Sequence, residues 1–428
     1  MEKLFNFKKY KTNFKRELIA GLTSFFSAIY IIVVNASILS DGGVNQEPLI
    51  IATILASFIG CLLVAFISNA PLIVMPGMGI NALFTYTIVH SLGLNFNQAL
   101  ASVFTAGVLF FIVAATRLSK ILDKAIPKSL KESISVGIGF FITFLGLQKS
   151  GLIIADPATF VKIQSFDNPR VVFFLVIFAI TLFLFVKNIP GAFLISIIVG
   201  TASSIMLGLT KLNSSGFALP DFSEYSSILF SLDFSKFFTS QFWIATFSLT
   251  LILVFENIGI LHGQVTGLLN APEKQNKSLI AVALSSITCG LFGTSPSVST
   301  VEGTAGISAG GKTGLTAIVT GLLILISILF IPFLTLIPDE AIAPILIILG
   351  SLMVKSIKDI DFEDTSEGIP AFLTVALIPL TFSIIDGIAF GFISYTLIKL
   401  IVKKKEEISL PMYLISIIFI IYFVLTTL

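Results

Sequence analysis

The segment Leu291-Phe-Gly-Thr-Ser-Pro-Ser-Val-Ser-Thr-Val-Glu302-Gly-Thr-Ala-Gly306 sets helix breakers, hydroxyls and one carboxylate inside an otherwise apolar stretch. Lipid offers no hydrogen bonds, so non-helical backbone and an ionisable group at bilayer depth persist only when buried in protein or lining a wet cavity. The segment therefore reads as a binding site within a membrane protein.

The rest of the chain supplies the membrane context. Its 428 residues are 55% hydrophobic and 12% charged, with a mean hydropathy of +1.02, far from soluble globular composition. Runs long enough to cross about 30 Å of hydrocarbon recur from end to end. Residues 1–428 thus read as a single membrane domain with no separate soluble module, and nothing basic enough to hold nucleic acid. Lys3, Lys8, Lys9, Lys11, Lys15 and Arg16 form a basic arm over residues 1–16, and Lys120, Lys124, Lys128 and Lys131 fall between later runs. The positive-inside rule puts both in the cytoplasm and the chain in the cell membrane. The acid-leaning 210–240 segment, with Asp221, Glu224 and Asp233, suits the outer side.

Apolar runs fall near 17–40, 48–68, 72–92, 97–116, 130–150, 170–187 and 189–209, and again near 241–262, 278–293, 295–311, 313–336, 340–357, 368–384 and 386–402. An all-α polytopic protein of fourteen transmembrane segments follows, as a 7+7 inverted repeat with halves 17–209 and 241–402, because an odd count makes the second half enter from the opposite side. Residues 403–428, a basic linker and an apolar helix, either add a span or lie on the inner interface. Segments 3 and 10 are expected to be broken, since Pro71-Leu-Ile-Val-Met-Pro76-Gly77-Met-Gly79-Ile-Asn81-Ala-Leu-Phe84 matches the opening segment in kind. Asn35 and Asn81 are 46 residues apart, as are Glu256 and Glu302. Interrupted segments at matching places in two halves point to a midplane transport site.

In both segments an extended start should lead into a helix whose first turn carries free N–H groups and the positive dipole end. Asn81 and Glu302 fall at these starts; the plainer alternative is a pair of proline kinks that shape packing. Glu256, in Leu251-Ile-Leu-Val-Phe-Glu256-Asn257, has no basic neighbour within two turns. A bare carboxylate there costs roughly 2.5–3.5 kcal/mol on insertion scales, so it is expected to be protonated, paired or bound. Such a group suits proton coupling, although a bond inside the bundle would serve as well.

Other features read more plainly. Gly306-Ile-Ser-Ala-Gly-Gly311-Lys312-Thr313 fits the phosphate-loop pattern, but no strand–loop–helix domain accompanies it, so it reads as close helix packing. Cys61 and Cys289 lie in apolar runs as packing residues, His90 and His262 are not spaced as metal ligands, and no metal or cofactor is called for. Asp386 reads as an interfacial turn residue. Asp359, Asp361, Glu363, Asp364 and Glu367 read as a solvated cytoplasmic loop.

Together, Gly21-Leu-Thr-Ser-Phe-Phe-Ser-Ala-Ile-Tyr-Ile-Ile-Val-Val-Asn35, Pro76–Phe84, Gly293–Glu302, Ala309-Gly-Gly-Lys-Thr-Gly-Leu-Thr316, Ile369-Pro-Ala-Phe-Leu-Thr374 and Gly387-Ile-Ala-Phe-Gly-Phe-Ile-Ser-Tyr395 resemble the AzgA-type purine permeases, nucleobase:cation symporters of the UraA-type fold. The resemblance spans about Leu18 to Leu400. It implies a core of helices 1–4 and 8–11, a gate of helices 5–7 and 12–14, and purine uptake coupled to protons. It further implies that Asn81, Ala82, Glu256, Thr300, Val301 and Glu302 contact the base, with Glu256 and Glu302 in proton coupling. The chain departs from the branch in helix 8, where Phe255-Glu256-Asn257 replaces the usual Phe-Asp-Thr.

The leading expectation is therefore a proton symporter importing hypoxanthine, guanine or adenine. The alternatives are a uracil, xanthine or other small-solute carrier on the same fold, and an intramembrane enzyme. The last lacks the metal or nucleophile arrangements such chemistry needs. The partners expected are a purine base and the bilayer, and a homodimer is compatible with the resemblance.

Overall fold

The computed structural model describes residues 2, 4–210 and 222–427, so Lys3, Lys211 and Asp221 lie outside the described residues. The first half runs α1 (Phe14–Ser40), α2 (Gln46–Ile67), strand β1 (Val74–Pro76), α3 (Met78–Ala82, widening into a π-helix over Leu83–Ser91), α4 (Phe96–Ala115) and α5 (Lys128–Lys149). A hairpin of β2 (Ile153–Asp156) and β3 (Phe160–Ile163) then leads to α6 (Pro169–Val186) and α7 (Ala192–Met206).

The second half repeats the order. It comprises α8 (Ser240–Leu268), α9 (Gln275–Phe292), β4 (Ser297–Ser299), α10 (Gly303–Ser308), α11 (Gly314–Leu334), α12 (Asp339–Asp359), α13 (Thr365–Leu380) and α14 (Ile384–Ile401), followed by α15 (Leu410–Thr427). Among the described residues, nine of these helices are long and apolar enough to cross a membrane. The expected breaks in segments 3 and 10 are present, each as a short strand followed by a short helix. The β2–β3 hairpin is an addition to the expected helical architecture.

Local chemistry sets the helix starts. The Asn13 side chain accepts from the Arg16 N–H at α1, and Asn95 and Gln98 form a reciprocal capping box at α4. Thr313, Asp364 and Ser383 cap α11, α13 and α14 in the same way, answering donors that a helix end leaves unpaired.

Packing divides the helices into two bodies. In the core, α9 lies against α2 and α4, α11 against α1 and α2, and α8 against α4. In the gate, α5 packs on α12 and α13, α6 on α7 and α12, and α14 on α13. Exchanging each first-half helix with its counterpart seven places on reproduces these contacts: α4–α9 becomes α11–α2, α1–α11 becomes α8–α4, and α5–α13 becomes α12–α6. A two-fold repeat requires this. At the α4–α9 crossing a Cβ on Gly107 would lie 2.7 Å from the Ile287 nitrogen, and one on Gly290 would lie 2.9 Å from that of Phe104, so the contact depends on both glycines.

The C-terminal helix runs antiparallel along α14. Near one end Lys399 pairs with Glu407 at 2.5 Å. Midway, Thr396 and Ser416 hydroxyls lie 2.7 Å apart, and towards the other end Tyr422 donates to Asp386 at 2.7 Å. Asp386 thus stands in the first turn of α14, at the helix end.

Candidate functional site

The two interrupted segments meet. β1 and β4 pair antiparallel with Val74 opposite Ser299, Met75 opposite Val298 and Pro76 opposite Ser297. The Thr300 N–H extends the ladder to the Ile73 carbonyl at 3.0 Å. This pairing satisfies backbone that proline has removed from helical geometry and that lipid could not satisfy. Cys61 and Cys289 flank the strands symmetrically and are free thiols: Cys61 Sγ lies 4.0 Å from the Val74 carbonyl and Cys289 Sγ 2.9 Å from Ser297 Oγ.

Two buried polar networks hold the strands. From the first half, Asn35 donates to Thr53 Oγ1 at 2.7 Å and Thr294 Oγ1 at 3.0 Å. Ser295 donates to Asn35 at 3.2 Å and to Asn81 Oδ1 at 2.6 Å. From the second half, Asn257 Oδ1 accepts from the Ser299 N–H at 3.0 Å. Gln264 accepts from Ser299 Oγ at 2.7 Å and donates to the Thr300 carbonyl at 2.6 Å. Buried and satisfied networks of this kind fix a single geometry.

Each anticipated residue can now be placed. Asn81 is fully buried one turn inside α3 rather than at its first residue, and Ala82 beside it is equally buried. Glu302 immediately precedes α10, is half-buried, and accepts a hydrogen bond from the Tyr30 hydroxyl of α1. Thr300 is buried and bound through its backbone, whereas the Val301 side chain is 61% exposed. Glu256 is half-buried in α8, next to the Asn257 that grips β4, and none of the hydrogen bonds described reaches its carboxylate. Asn81, Ala82, Thr300, Val301 and Glu302 thus gather on the two breaks, with Glu256 on the helix braced against them. Both carboxylates come from the second half; the first half contributes Tyr30, Asn35 and Asn81.

Neither carboxylate has an ion-pair partner among the described residues. An acceptor without a fixed cation can take an N–H donor from a neutral ligand or a proton. Tyr30, Gln264 and Ser295 escaped the sequence reading. Asn35 was visible in it through its spacing to Asn81, and Asn257 only as the neighbour of Glu256.

The phosphate-loop pattern is filled from within. Glu17 of α1 is fully buried, and its carboxylate accepts from the N–H groups of Lys312 (3.0 Å) and Thr313 (3.2 Å) and from the hydroxyls of Thr316 (2.6 Å) and Thr12 (2.7 Å). The donors that would cradle a phosphate are therefore spent on the chain's own side chain, which caps α11. Among the described residues, no cluster of three potential metal ligands occurs.

Known proteins share the sequence and the fold. The chain is 46% identical over 387 residues to the nucleobase transporter PlAzg2 of Paenibacillus larvae, covering 90% of this chain and 78% of that protein. It is 36% identical to the guanine/hypoxanthine permease PbuO of Bacillus subtilis, over 98% of this chain and 99% of that one. It is 32% identical to the adenine permease AdeP of Escherichia coli, over 98% and 95%. The fold is shared with the transmembrane domain of a cyanobacterium bicarbonate transporter, BicA, at a TM-score of 0.64 and 17% identity, covering 88% of this chain and 96% of that one. The model of the Permease family matches residues 15–390, and with the broken-helix fold and the membrane-spanning helices it establishes the chain as a member of that family, a membrane transporter and not an enzyme.

Proposed function

We propose that this permease imports purine nucleobases, hypoxanthine, guanine or adenine, by proton symport across the cell membrane, with its N-terminal arm in the cytoplasm. The observation that carries the reading is a set of two carboxylates with no ion-pair partner among the described residues: Glu302 at the start of α10, adjoining the Thr300–Val301 backbone, and Glu256 on α8, next to the Asn257 that holds β4. Purine rings present N–H donors to carboxylates and ring nitrogens to N–H groups, and an anionic substrate would be repelled by two acids. The relatives named as nucleobase, guanine/hypoxanthine and adenine permeases support the same substrate class. In this reading Glu302 and Asn81 hold the base, Ala82, Thr300 and Val301 flank it, and Glu256 and Glu302 carry the proton.

The test is uptake into proteoliposomes against a panel of purines, uracil, xanthine and sulfate, with and without an imposed pH gradient. Competition by purines and dependence on the proton gradient are expected. Dominant competition by uracil or sulfate, or dependence on sodium instead, would refute the substrate or the coupling ion respectively. Glu302→Gln is expected to abolish base binding in a protein that still elutes as a folded species.

A further inference from the structure

Between the core and the gate, on the face away from the N-terminal arm, lies a two-layer contact. In the outer layer Lys149, at the end of α5, pairs with Asp41 just after α1 at 3.0 Å and approaches Asp339 of α12 at 3.8 Å. Its amine also donates to the Ser37 carbonyl at 3.2 Å, and Ser37 Oγ donates to Asp339 at 3.1 Å. His90 Nε2 lies 2.8 Å from the Asp41 carbonyl oxygen. The inner layer is aromatic. Tyr86 of α3 meets Phe141 of α5 at 5.8 Å and Phe382 at 5.7 Å, while Phe382 meets Phe141 at 5.0 Å and Phe144 at 5.5 Å, all edge to face.

Tyr86 belongs to both layers, because its hydroxyl donates to Asp41 at 2.5 Å. Beside it the Ile384 N–H of the gate donates to Thr87 Oγ1 of the core at 3.1 Å. Phe382, in the turn before α14, holds a left-handed φ of 57°, a costly conformation for a bulky residue that its ring contacts sustain.

The geometry points to a function for this seam. Lys128–Asp359, Arg170–Glu340, Lys399–Glu367 and Lys404–Asp364 all stay within the gate or its loops, whereas Lys149–Asp41 crosses from gate to core. Tyr86 follows Asn81 on the same helix by five residues, so the seam covers the site at roughly 7 Å along the axis. We propose that these layers are the gate closing the site toward the face opposite the N-terminal arm, and that Lys149 and Tyr86 are the positioning residues that release for the site to open there. Partly exposed ion pairs and ring edges hold modestly, which suits a contact made and broken in every transport cycle. The inference rests on the proposed cytoplasmic placement of the N-terminal arm and on no particular substrate; labelling of the Thr87→Cys protein in inside-out vesicles, compared with intact cells, separates a failure of that placement from a failure of the gate.

The test places a cysteine at Thr87, which is buried in the seam, and follows its modification by a membrane-impermeant thiol reagent on intact cells, with the parent protein, whose two cysteines are buried, as background. Lys149→Met is expected to raise the labelling rate roughly twofold to fivefold, the population shift that loss of a partly exposed pair produces. Tyr86→Phe, which keeps the ring and loses the bond to Asp41, is expected to act in the same direction and carries the test alone if the Lys149 variant does not fold. Unchanged labelling in a folded Lys149→Met or Tyr86→Phe protein would make the seam a permanent joint and overturn the proposal. A labelling shift in a protein that carries no purine would leave the gate standing and defeat the substrate reading alone.

Discussion

Tyr30 donates its phenolic hydrogen to the carboxylate of Glu302, joining a first-half helix to the break in the second half. The same phenol packs edge to face on Phe193 of α7, with ring centroids 5.0 Å apart, so the contact links the site to the gate. The hydroxyl occupies the acceptor that the proposed function assigns to an N–H of the base.

Tyr30→Phe should therefore destabilise the empty protein by about 1–3 kcal/mol, the cost of leaving a desolvated acceptor unmet. A purine would restore the missing donor, so the rise in Tm on adding hypoxanthine should be larger in the variant than in the parent. Equal rises, measured by thermal unfolding in detergent, would show that ligand and Tyr30 do not share Glu302.

Glu256 stands apart from every hydrogen bond described, so its replacement should act on the proton rather than on the fold. For Glu256→Gln, accumulation of labelled base driven by a pH gradient should fall at least about tenfold, while the variant keeps the thermal stability of the parent. Full accumulation in proteoliposomes bearing this variant would move the coupling role elsewhere.

Glu17 meets three donors at the start of α11 and a fourth, the Thr12 hydroxyl, just before α1. Glu17→Ala should cost about 2–4 kcal/mol, since buried N–H groups and hydroxyls lose a charged acceptor together. Thermal unfolding reads the loss. ATP or inorganic phosphate should not shift the Tm of the parent, because the side chain already fills the loop.

Lys274, in the turn between α8 and α9, is buried with its amine 3.7 Å above the Tyr10 ring and directed at the carbonyls of Asn69 and Lys312. Burial pulls its pKa down to about 8, against the attraction of Glu273 and Glu17. The unfolded chain then binds more protons than the folded one above about pH 8. Stability should consequently gain from this group as pH rises through 8 toward the ordinary lysine value, and the penalty should be fully present below pH 8. Comparing Tm between pH 7.5 and 9.5, Lys274→Met should rise less than the parent; an identical pH response would contradict the assignment.

Much of the architecture could be read from local pattern. Apolar length gave the helices, and proline and glycine inside the stretches around Pro76 and Pro296 marked the two breaks, because lipid leaves so few alternatives for unpaired backbone. The partners of those breaks were not legible in the same way. The register of Val74 on Ser299, the reach of Gln264 to Thr300 and the bond from Tyr30 to Glu302 join residues up to 272 positions apart, and no local periodicity encodes them. The loop ending in Lys312-Thr313 shows the converse: its pattern was plain, yet only the position of Glu17 revealed what occupies it. Charge patterning gave no hint of the β2–β3 hairpin, whose strands are short and whose turn is secured locally by Asp156, with its Ala158 N–H bond at 2.9 Å and its Lys162 pair at 2.8 Å.

The ladder between Val74–Pro76 and Ser297–Ser299 has a mechanical corollary. Each repeat contributes one rung-bearing strand and the stub of helix behind it, and the rungs are main-chain bonds shielded from water. Neither stub can slide without dragging its twin, so cargo resting between them would be ferried in a stiff tray rather than squeezed through a deforming pore.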